Sequence, residues 1–406
     1  MRILFLTQYY PPEIGAPQNR LHELALRLKA NGLDVEVLTA YPNYPKMEVF
    51  EAYQNGKIKE ESIDGIKVYR SWIYVSKSKG ILARLLNYFS FVFTAYFRGR
   101  KLKSYDYLLV ESPPLFLGYT AMALSKKLHA KLIFNVSDLW PESAEKLGIV
   151  TNKFLLNFAY RLEARCYRKA TLITGQTQGI VDNIKGRFRE KDVYWLPNGV
   201  DLTFYNPATI ESGTFRAKHG FTADQILFFY GGIIGHAQGL EVILKAAKLI
   251  ENPKAVFIIQ GAGPLLEELK QVLKKMQLTN VHFLPPVSKS EMPQVLKAVD
   301  VAVVPLKKLA IFEGAIPSKI FEAMSMEIPL LLGVDGEARR HFIEGANAGY
   351  FCEPEDENAL AARVNELLDD PQKIKEMGKN GRLYVHEHFN RNKIAQDFYH
   401  KLKEIN

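Results

Sequence analysis

A chain of 406 residues has room for two or three domains with proper cores, and 47% hydrophobic with 24% charged residues excludes disorder. Only two cysteines occur, Cys166 and Cys352, far apart, so neither a disulfide framework nor a thiolate metal site is expected; both read as buried apolar residues in a reducing compartment. The net charge of +9 is uneven: Gly65 to Tyr105 holds nine basic residues (Lys67, Arg70, Lys77, Lys79, Arg84, Arg98, Arg100, Lys101, Lys103) and no acidic one, which favours one anionic partner surface.

The opening apolar run ends at Gln8, too soon for an export segment, and predicts the first strand of a cytoplasmic protein. Short apolar, β-branched runs predict strands over Arg2–Thr7, Asp34–Thr39, Tyr107–Val110, Lys131–Asn135, Thr171–Thr174 and Val193–Leu196. Apolar spacing of three and four predicts helices over Asn19–Ala30, Leu115–Leu128, Lys153–Arg168 and Gln178–Gly186. Ile63–Val68, with Asp64-Gly65 at its centre, reads as a small hairpin or strand inserted after the second strand. The polar run from Pro197 to Thr222 reads as a linker. The pattern then restarts, with strands over Gln225–Tyr230, Ala255–Gln260, Val281–Leu284, Asp300–Val304, Pro329–Gly333 and Gly349–Cys352. Helices are expected over Gly239–Ile250, Pro264–Met276, Lys289–Ala298, Ser318–Met326, Gly336–Glu344 and Glu357–Leu368, and a last one over Asn390–Ile405. Such alternation predicts an α/β protein with two doubly wound, Rossmann-like domains, residues 1–197 and 198–389. Two such halves place ligands at the carboxyl ends of their strands, in a cleft between them.

The strand-to-helix loops therefore hold the candidate site residues. The first runs from Gln8 to Arg20: Gly15 permits close backbone approach, the helix start attracts an anion, and Arg20 reaches toward it. The restart loop, Tyr230–Gly239, carries four glycines, among them Gly232, Gly235 and Gly239, which suits backbone cradling of a diphosphate. Gly261-Ala262-Gly263 has Leu266 where a dinucleotide fingerprint needs a third glycine, and reads as a packing turn. In Glu313–Met324, Pro317 and Ser318 have the chemistry of a helix start, Lys319 adds a cation for phosphate, and Glu322 follows one turn later. A carboxylate at Glu322 can accept hydrogen bonds from both vicinal hydroxyls of a ribose. Asp138, ending a central strand beside Trp140, either orients an acceptor hydroxyl or caps the local turn. No carboxylate cluster of metal-ligand type is evident, so no metal and no cofactor is expected.

These blocks together resemble family four of the retaining glycosyltransferases, which have the GT-B fold. The resemblance is carried by Tyr10-Pro11-Pro12-Glu13, Tyr41-Pro42-Asn43-Tyr44-Pro45, Ser112-Pro113-Pro114, Asp138-Leu139-Trp140-Pro141-Glu142-Ser143, Ala237-Gln238-Gly239 and Pro317-Ser318-Lys319-Ile320-Phe321-Glu322, in this order along essentially the whole chain. It is nearest the bacterial surface-polysaccharide subgroup with N-acetylfucosamine transferases and colanic acid enzymes. The resemblance implies a nucleotide-sugar donor, UDP-linked, on the second half and an acceptor on the first. It implies Glu322 on the ribose, Lys319, Ser318 and the glycine loop (with Gln238) on the diphosphate, Val287 beside the base, and the tail, residues 390–406, packing back on the first half. Two departures accompany it. The wider family has a second glutamate where this chain has Gly314, with Glu313 one place off as the catalytic candidate. The family's Arg and Lys in the glycine loop are Ile233 and Gln238 here, which leaves backbone amides, Lys319 and Arg20 to carry the phosphate charge.

Ile81–Phe97 reads as an apolar helix with a narrow polar stripe of Arg84, Asn87, Ser90, Thr94 and Arg98. It is shorter than the roughly 20 apolar residues that span a bilayer. Two readings stand, a helix buried in the first half and a helix lying in the membrane interface, and the flanking cations favour the second. Arg84, Phe91, Phe93, Arg98 and Arg100 are then the membrane contacts, on an anionic lipid surface at the inner face of the cell membrane. No nucleic-acid module accompanies the charge, so nucleic acid is not an expected partner. The expectation is retaining transfer of an N-acetylated hexosamine or deoxyhexosamine to a polyprenyl-diphosphate-linked saccharide in O-antigen, capsule or exopolysaccharide assembly. Its rivals are a nucleotide-sugar epimerase on the same plan and a non-catalytic sugar-nucleotide-binding partner of a membrane complex.

Overall fold

A computed structural model describes the chain apart from Ile14, Pro45, Lys79, Ser212 and Asn406 and the side chains of Ala16, Ile81, Leu82 and Arg84. The expected membrane contact at Arg84 thus lies outside the described residues. Two compact units result: Met1–Asn198 with Arg391–Asn406, and Gly199–Asn390.

In the first unit, β1 (Arg2–Leu6), β2 (Asp34–Ala40), β3 (Glu60–Ile63), β4 (Ile66–Ser71), β5 (Tyr107–Ser112), β6 (Lys131–Val136), β7 (Leu172–Gly175) and β8 (Val193–Trp195) form an eight-stranded sheet. Its order is β3-β4-β2-β1-β5-β6-β7-β8, parallel throughout except at β3–β4. That pair is the expected insertion: a two-residue hairpin turn at Asp64-Gly65, both with positive φ (48° and 76°), the geometry that matches strand twist. The helices are α1 (Ala16–Ala30), α2 (Ile81–Gly99), α3 (Leu117–Leu128), α4 (Glu142–Lys146), α5 (Lys153–Lys169) and α6 (Gln178–Arg187). One face of the sheet is covered by α2, α3 and α5 over a core that includes Leu108, Val110, Leu117 and Leu162; the other carries α1 over Ile3, Phe5 and Val37.

The second unit opens with α7 (Phe215–His219), inside the stretch expected to be a linker, and continues β9 (Ile226–Ile233), α8 (Glu241–Lys248), β10 (Ala255–Ala262), α9 (Leu266–Met276) and β11 (Val281–Leu284). Then come α10 (Met292–Ala298), β12 (Val301–Pro305), α11 (Ser318–Ser325), β13 (Leu330–Gly333), α12 (Glu337–Arg339), β14 (Gly349–Phe351), α13 (Glu357–Asp369) and α14 (Pro371–His388). Its six strands are all parallel, in the order β11-β10-β9-β12-β13-β14. The sequence pattern misses α14, whose Gly378 and Gly381 have low helix propensity. Those glycines serve packing: a Cβ at 378 would run into the Glu327 carbonyl, and one at 381 would press on Ala348 and Met324. The last helix, α15 (Arg391–Glu404), lies against α1 in the first unit. Ala395, Phe398 and Leu402 enter that core, the Tyr107 hydroxyl donates to the Leu402 carbonyl at 2.5 Å, and Arg391 reaches Glu23 at 3.3 Å.

In each unit the chain leaves the first strand toward one side and later returns to the other, between β1 and β5 and between β9 and β12. Ligands of doubly wound sheets bind at the carboxyl side of such reversals. Beside the second one, Gly261 on β10 (φ 155°) lies so close to β9 that an added Cβ would fall onto the carbonyl oxygen of Gly232. Gly261→Ala is therefore expected to destabilise the protein by about 3 kcal/mol through overpacking and backbone strain. Chemical denaturation checks it, and an unchanged midpoint contradicts the close approach.

Candidate active site

On the second unit the site is built from the end of β9 and the start of α11. Pro317 caps α11 without a side-chain hydrogen bond to the first backbone N–H groups, and Ser318 is its first residue. Lys319, next along, sits with Nζ 3.7 Å from the centroid of the Tyr230 ring at the end of β9. The Tyr230 hydroxyl donates to the Ile233 carbonyl at 2.6 Å, which fixes the ring. Gly232 (φ 141°) closes over the ammonium: a Cβ there would lie 2.9 Å from Lys319 Nζ. Burial lowers the Lys319 pKa to about 7, against the opposing pull of Glu322. Lys319 and Glu322 line one small cavity of about 30 Å³ with Phe229, Gly231 and Met292. An ammonium, uncapped helix amides and a carboxylate one turn on form a set suited to a diphosphate joined to a vicinal diol.

The rest of the expected donor set lies on other loops of the same unit, and Glu313 lines a different cavity from Lys319 and Glu322. Gly235 precedes a short 3-10 turn over His236–Gln238, and Gly239 (φ 59°) follows it; the Gln238 side chain folds back toward Gly235, while the Lys307 N–H donates to the Ala237 carbonyl at 2.9 Å. Val287 is partly exposed in the loop after β11, which Gln260 steadies by donating to the Pro285 carbonyl at 3.0 Å. Glu313 is exposed on a 3-10 turn and borders a cavity of about 240 Å³ with Lys307, Asp335 and Glu353. A Cβ at Gly314 would meet no atom within 4 Å.

On the first unit, two buried carboxylates organise the strand ends. Glu13, 1% exposed, accepts from the backbone N–H of Tyr10 (3.1 Å), Asn43 (2.8 Å) and Tyr44 (2.9 Å), tying the loop after β1 to the loop after β2. Burial raises its pKa and the three donors pull it back down. Glu111, at the end of β5, binds Arg20 at 2.6 Å and also accepts from Asn135 and Ser137. Asn135 in turn accepts from Thr174 at 2.6 Å, so one polar chain crosses α1, β5, β6 and β7. Arg20, expected to reach a phosphate, is itself buried in this pair. Gly15 is the extended N-cap of α1. Asp138 accepts from the Ser143 hydroxyl at 2.8 Å, and partial burial of its carboxyl raises the pKa against the pull of that hydrogen bond. Trp140 meets Phe116 edge-on at 5.8 Å.

With this geometry in view, the comparisons with known proteins decide the class. Residues 15–199 match the model of the glycosyl transferase 4-like domain, and residues 211–384 that of glycosyl transferases group 1. The putative colanic acid biosynthesis glycosyl transferase WcaI of Escherichia coli (strain K12) is 25% identical, over 91% of this chain and 92% of that one. An Escherichia coli UDP-Gal:alpha-D-GlcNAc-diphosphoundecaprenol alpha-1,3-galactosyltransferase is 29% identical over 48% of this chain and 50% of its own. Anabaena Alr3699/HepE, solved with UDP and glucose, superposes with a TM-score of 0.73 at 18% identity, covering all of both chains. This chain belongs to the GT-B glycosyltransferases. It is a glycosyltransferase.

The basic patch expected on this glycosyltransferase is paired in part. Carboxylates that precede the all-basic stretch meet three of its cations: Arg70 binds Glu61 at 2.6 Å, Arg98 binds Glu60 at 2.6 Å, and Lys77 pairs with Glu48 at the surface, while Arg100, Lys101 and Lys103 are exposed. The polar stripe of α2 faces inward as well, with Asn87 donating to the Tyr74 carbonyl (2.6 Å) and Thr94 to that of Trp72 (2.5 Å). Phe91, expected at lipid, is fully buried, because it lies on the core side of that helix. Phe93 and Arg100 are exposed. No helix among the described residues is long and apolar enough to cross a membrane.

The sequence pattern assigned no role to Glu111, Glu13 or Tyr230. A carboxylate ending an otherwise apolar strand, followed by Ser112-Pro113-Pro114, was the available signal for Glu111. Removing one side of the Arg20–Glu111 pair leaves a buried charge; Arg20→Met is expected to cost about 3–5 kcal/mol, read by denaturation. At the donor side, the free Lys319 charge is lost as pH rises through about 7. Calorimetry should therefore show nucleoside-diphosphate affinity falling by roughly tenfold per pH unit above that point. Lys319→Met should flatten the dependence, and an unchanged profile would remove Lys319 from the phosphate site.

Proposed function

We propose that this glycosyltransferase moves an N-acetylated hexosamine or deoxyhexosamine from a UDP-sugar to a polyprenyl-diphosphate-linked saccharide, with retention at the anomeric carbon. The work is placed at the inner face of the bacterial cell membrane, in O-antigen, capsule or exopolysaccharide assembly. The observation that carries the donor side is the ammonium of Lys319, held at the start of α11 beneath Gly232, with Glu322 one turn along. As the bond between the anomeric carbon and the diphosphate oxygen breaks, negative charge grows on the leaving group. Lys319 and the first backbone N–H groups of α11 stabilise that charge from fixed positions. Glu322 holds the two ribose hydroxyls. Asp138, whose carboxyl one hydroxyl already orients, positions the incoming acceptor hydroxyl. Two relatives support the remaining identities: WcaI is named for colanic acid biosynthesis, and the galactosyltransferase for a UDP-sugar and a diphosphoundecaprenol-linked acceptor.

Because protein groups supply the charge stabilisation, transfer is expected to persist unchanged in excess EDTA. Glu322→Ala is expected to lower kcat/KM for the donor by about 100-fold, the scale of losing two hydrogen bonds to a charged group. Product anomers read by NMR should match the donor's configuration; inverted product would overturn retention. Efficient conversion of the donor without acceptor would replace the transfer reading with epimerisation.

A further inference from the structure

We propose that the outer surface of the α2–α3–α5 layer docks on an anionic lipid bilayer, with the apolar side chains at the start of α5 entering the headgroup boundary. The proposal rests on the reading of a membrane-borne acceptor and names the surface that meets the membrane. All three helices bury their inner faces in one core, and α3 packs against both α2 and α5.

The outward face of α5 is too apolar for a helix that only meets water. Phe154 is 80% exposed, and Leu155 and Phe158 are exposed beside it. The loop before them adds Leu147 and Ile149, also exposed. Single exposed apolar residues are ordinary, but five within twelve positions make a patch. Helical spacing sets Phe154, Phe158, Arg161 and Arg165 on one face of α5, and both arginines are exposed. Arg168 and Lys169 extend this basic end. From Lys146 to Lys169 the six basic residues meet one acidic residue, Glu163, which is fully buried and held by Arg187. The nearest carboxylates before them are engaged, Glu142 with Lys146 at 2.7 Å and Glu145 with the Tyr160 hydroxyl at 2.5 Å.

The same layer repeats this chemistry on α2. Leu86, Phe93 and Phe97 are exposed at intervals of seven and four, one straight outward stripe that ends at Arg100. Between the two prominences α3 presents Lys126 and Lys127. Aromatic side chains with cations at their shoulders match a bilayer, where acyl chains lie beneath a plane of phosphates.

The test uses the full chain sedimented with vesicles of phosphatidylethanolamine and phosphatidylglycerol, against vesicles of pure phosphatidylcholine. Binding is expected to the anionic vesicles alone and to weaken with salt. Substituting Phe154→Ser, Leu155→Ser and Phe158→Ser together is expected to lower the partition coefficient by about tenfold or more. Arg161→Glu with Arg165→Glu should lower it at least as far. These side chains are exposed, so both variants should keep the wild-type melting curve. Both should also keep the wild-type transfer rate on a water-soluble acceptor analogue, which separates docking from catalysis. The proposal is overturned if wild type ignores anionic vesicles or if both variants bind as wild type does. A solution dimer dissolved by the triple substitution would overturn it too, by making a second copy the occupant. Vesicle binding without transfer to any lipid-linked acceptor would keep the docking face and sink the acceptor reading.

Discussion

The ammonium of Lys319 lies over the ring of Tyr230, 3.7 Å from its centroid, with the backbone of Gly232 beside it. Gly261 lets β10 approach the carbonyl of Gly232, and Gly232, free of a side chain, closes over the ammonium. The arrangement is costly for a cation: burial brings its pKa down to about 7, so the site holds a half-committed charge near neutrality. In the proposed donor site, a diphosphate at the start of α11 would restore that charge. The free protein would then bear the desolvation penalty and the bound ligand relieve it, which would tie binding to the charge that the leaving group must shed.

The first unit solves a different problem, keeping long proline-rich loops in fixed positions at the ends of its strands. It does so with carboxylates turned inward. Glu13 collects backbone N–H groups from two loops, and Glu111 collects an arginine, an amide and a hydroxyl from three elements. Arg70 extends the scheme, since its guanidinium meets Glu61, the Ala40 carbonyl and the Pro11 carbonyl. Loops pinned this way present Asp138 and Trp140 from a stiff frame, which suits orienting an acceptor hydroxyl.

Strand and helix alternation was legible because fully buried parallel strands read as continuous apolar runs, and β1, β6, β9 and β12 all do. The hairpin was legible in Asp64-Gly65 for its turn chemistry. What failed had a common cause, that local windows hide long-range partners. The basic stretch looked unpaired because Glu48, Glu60 and Glu61 stand just before the window; the β3–β4 pairing sets Glu61 beside Arg70, and α2 brings Arg98 to Glu60. Helix α14 was hidden because its glycines are chosen for approach to α11 and not for propensity. The polar stripe of α2 was visible, but a stripe on an apolar helix has two senses. It can face water or face protein. Hydrogen bonds from Asn87 and Thr94 to the strand-to-helix strap turn this stripe toward protein, while Phe91, Val92 and Ala95 of the same helix enter the core.

Gly314 bears on how the donor site divides its work. Its backbone lies outside the left-handed region, and a side chain there would extend into open space. Nothing in the packing demands glycine there. A carboxylate at that position would stand on the same segment that leads into α11, close in sequence to Lys319, whose proton is already weakly held. With position 314 neutral and Glu313 turned to an adjoining cavity with Lys307, the field along this segment stays more positive toward an incoming diphosphate. Ile233 and Gln238 add no cation to the glycine loop, so in the proposed donor site Lys319 and the first backbone N–H groups of α11 carry the interaction with the diphosphate.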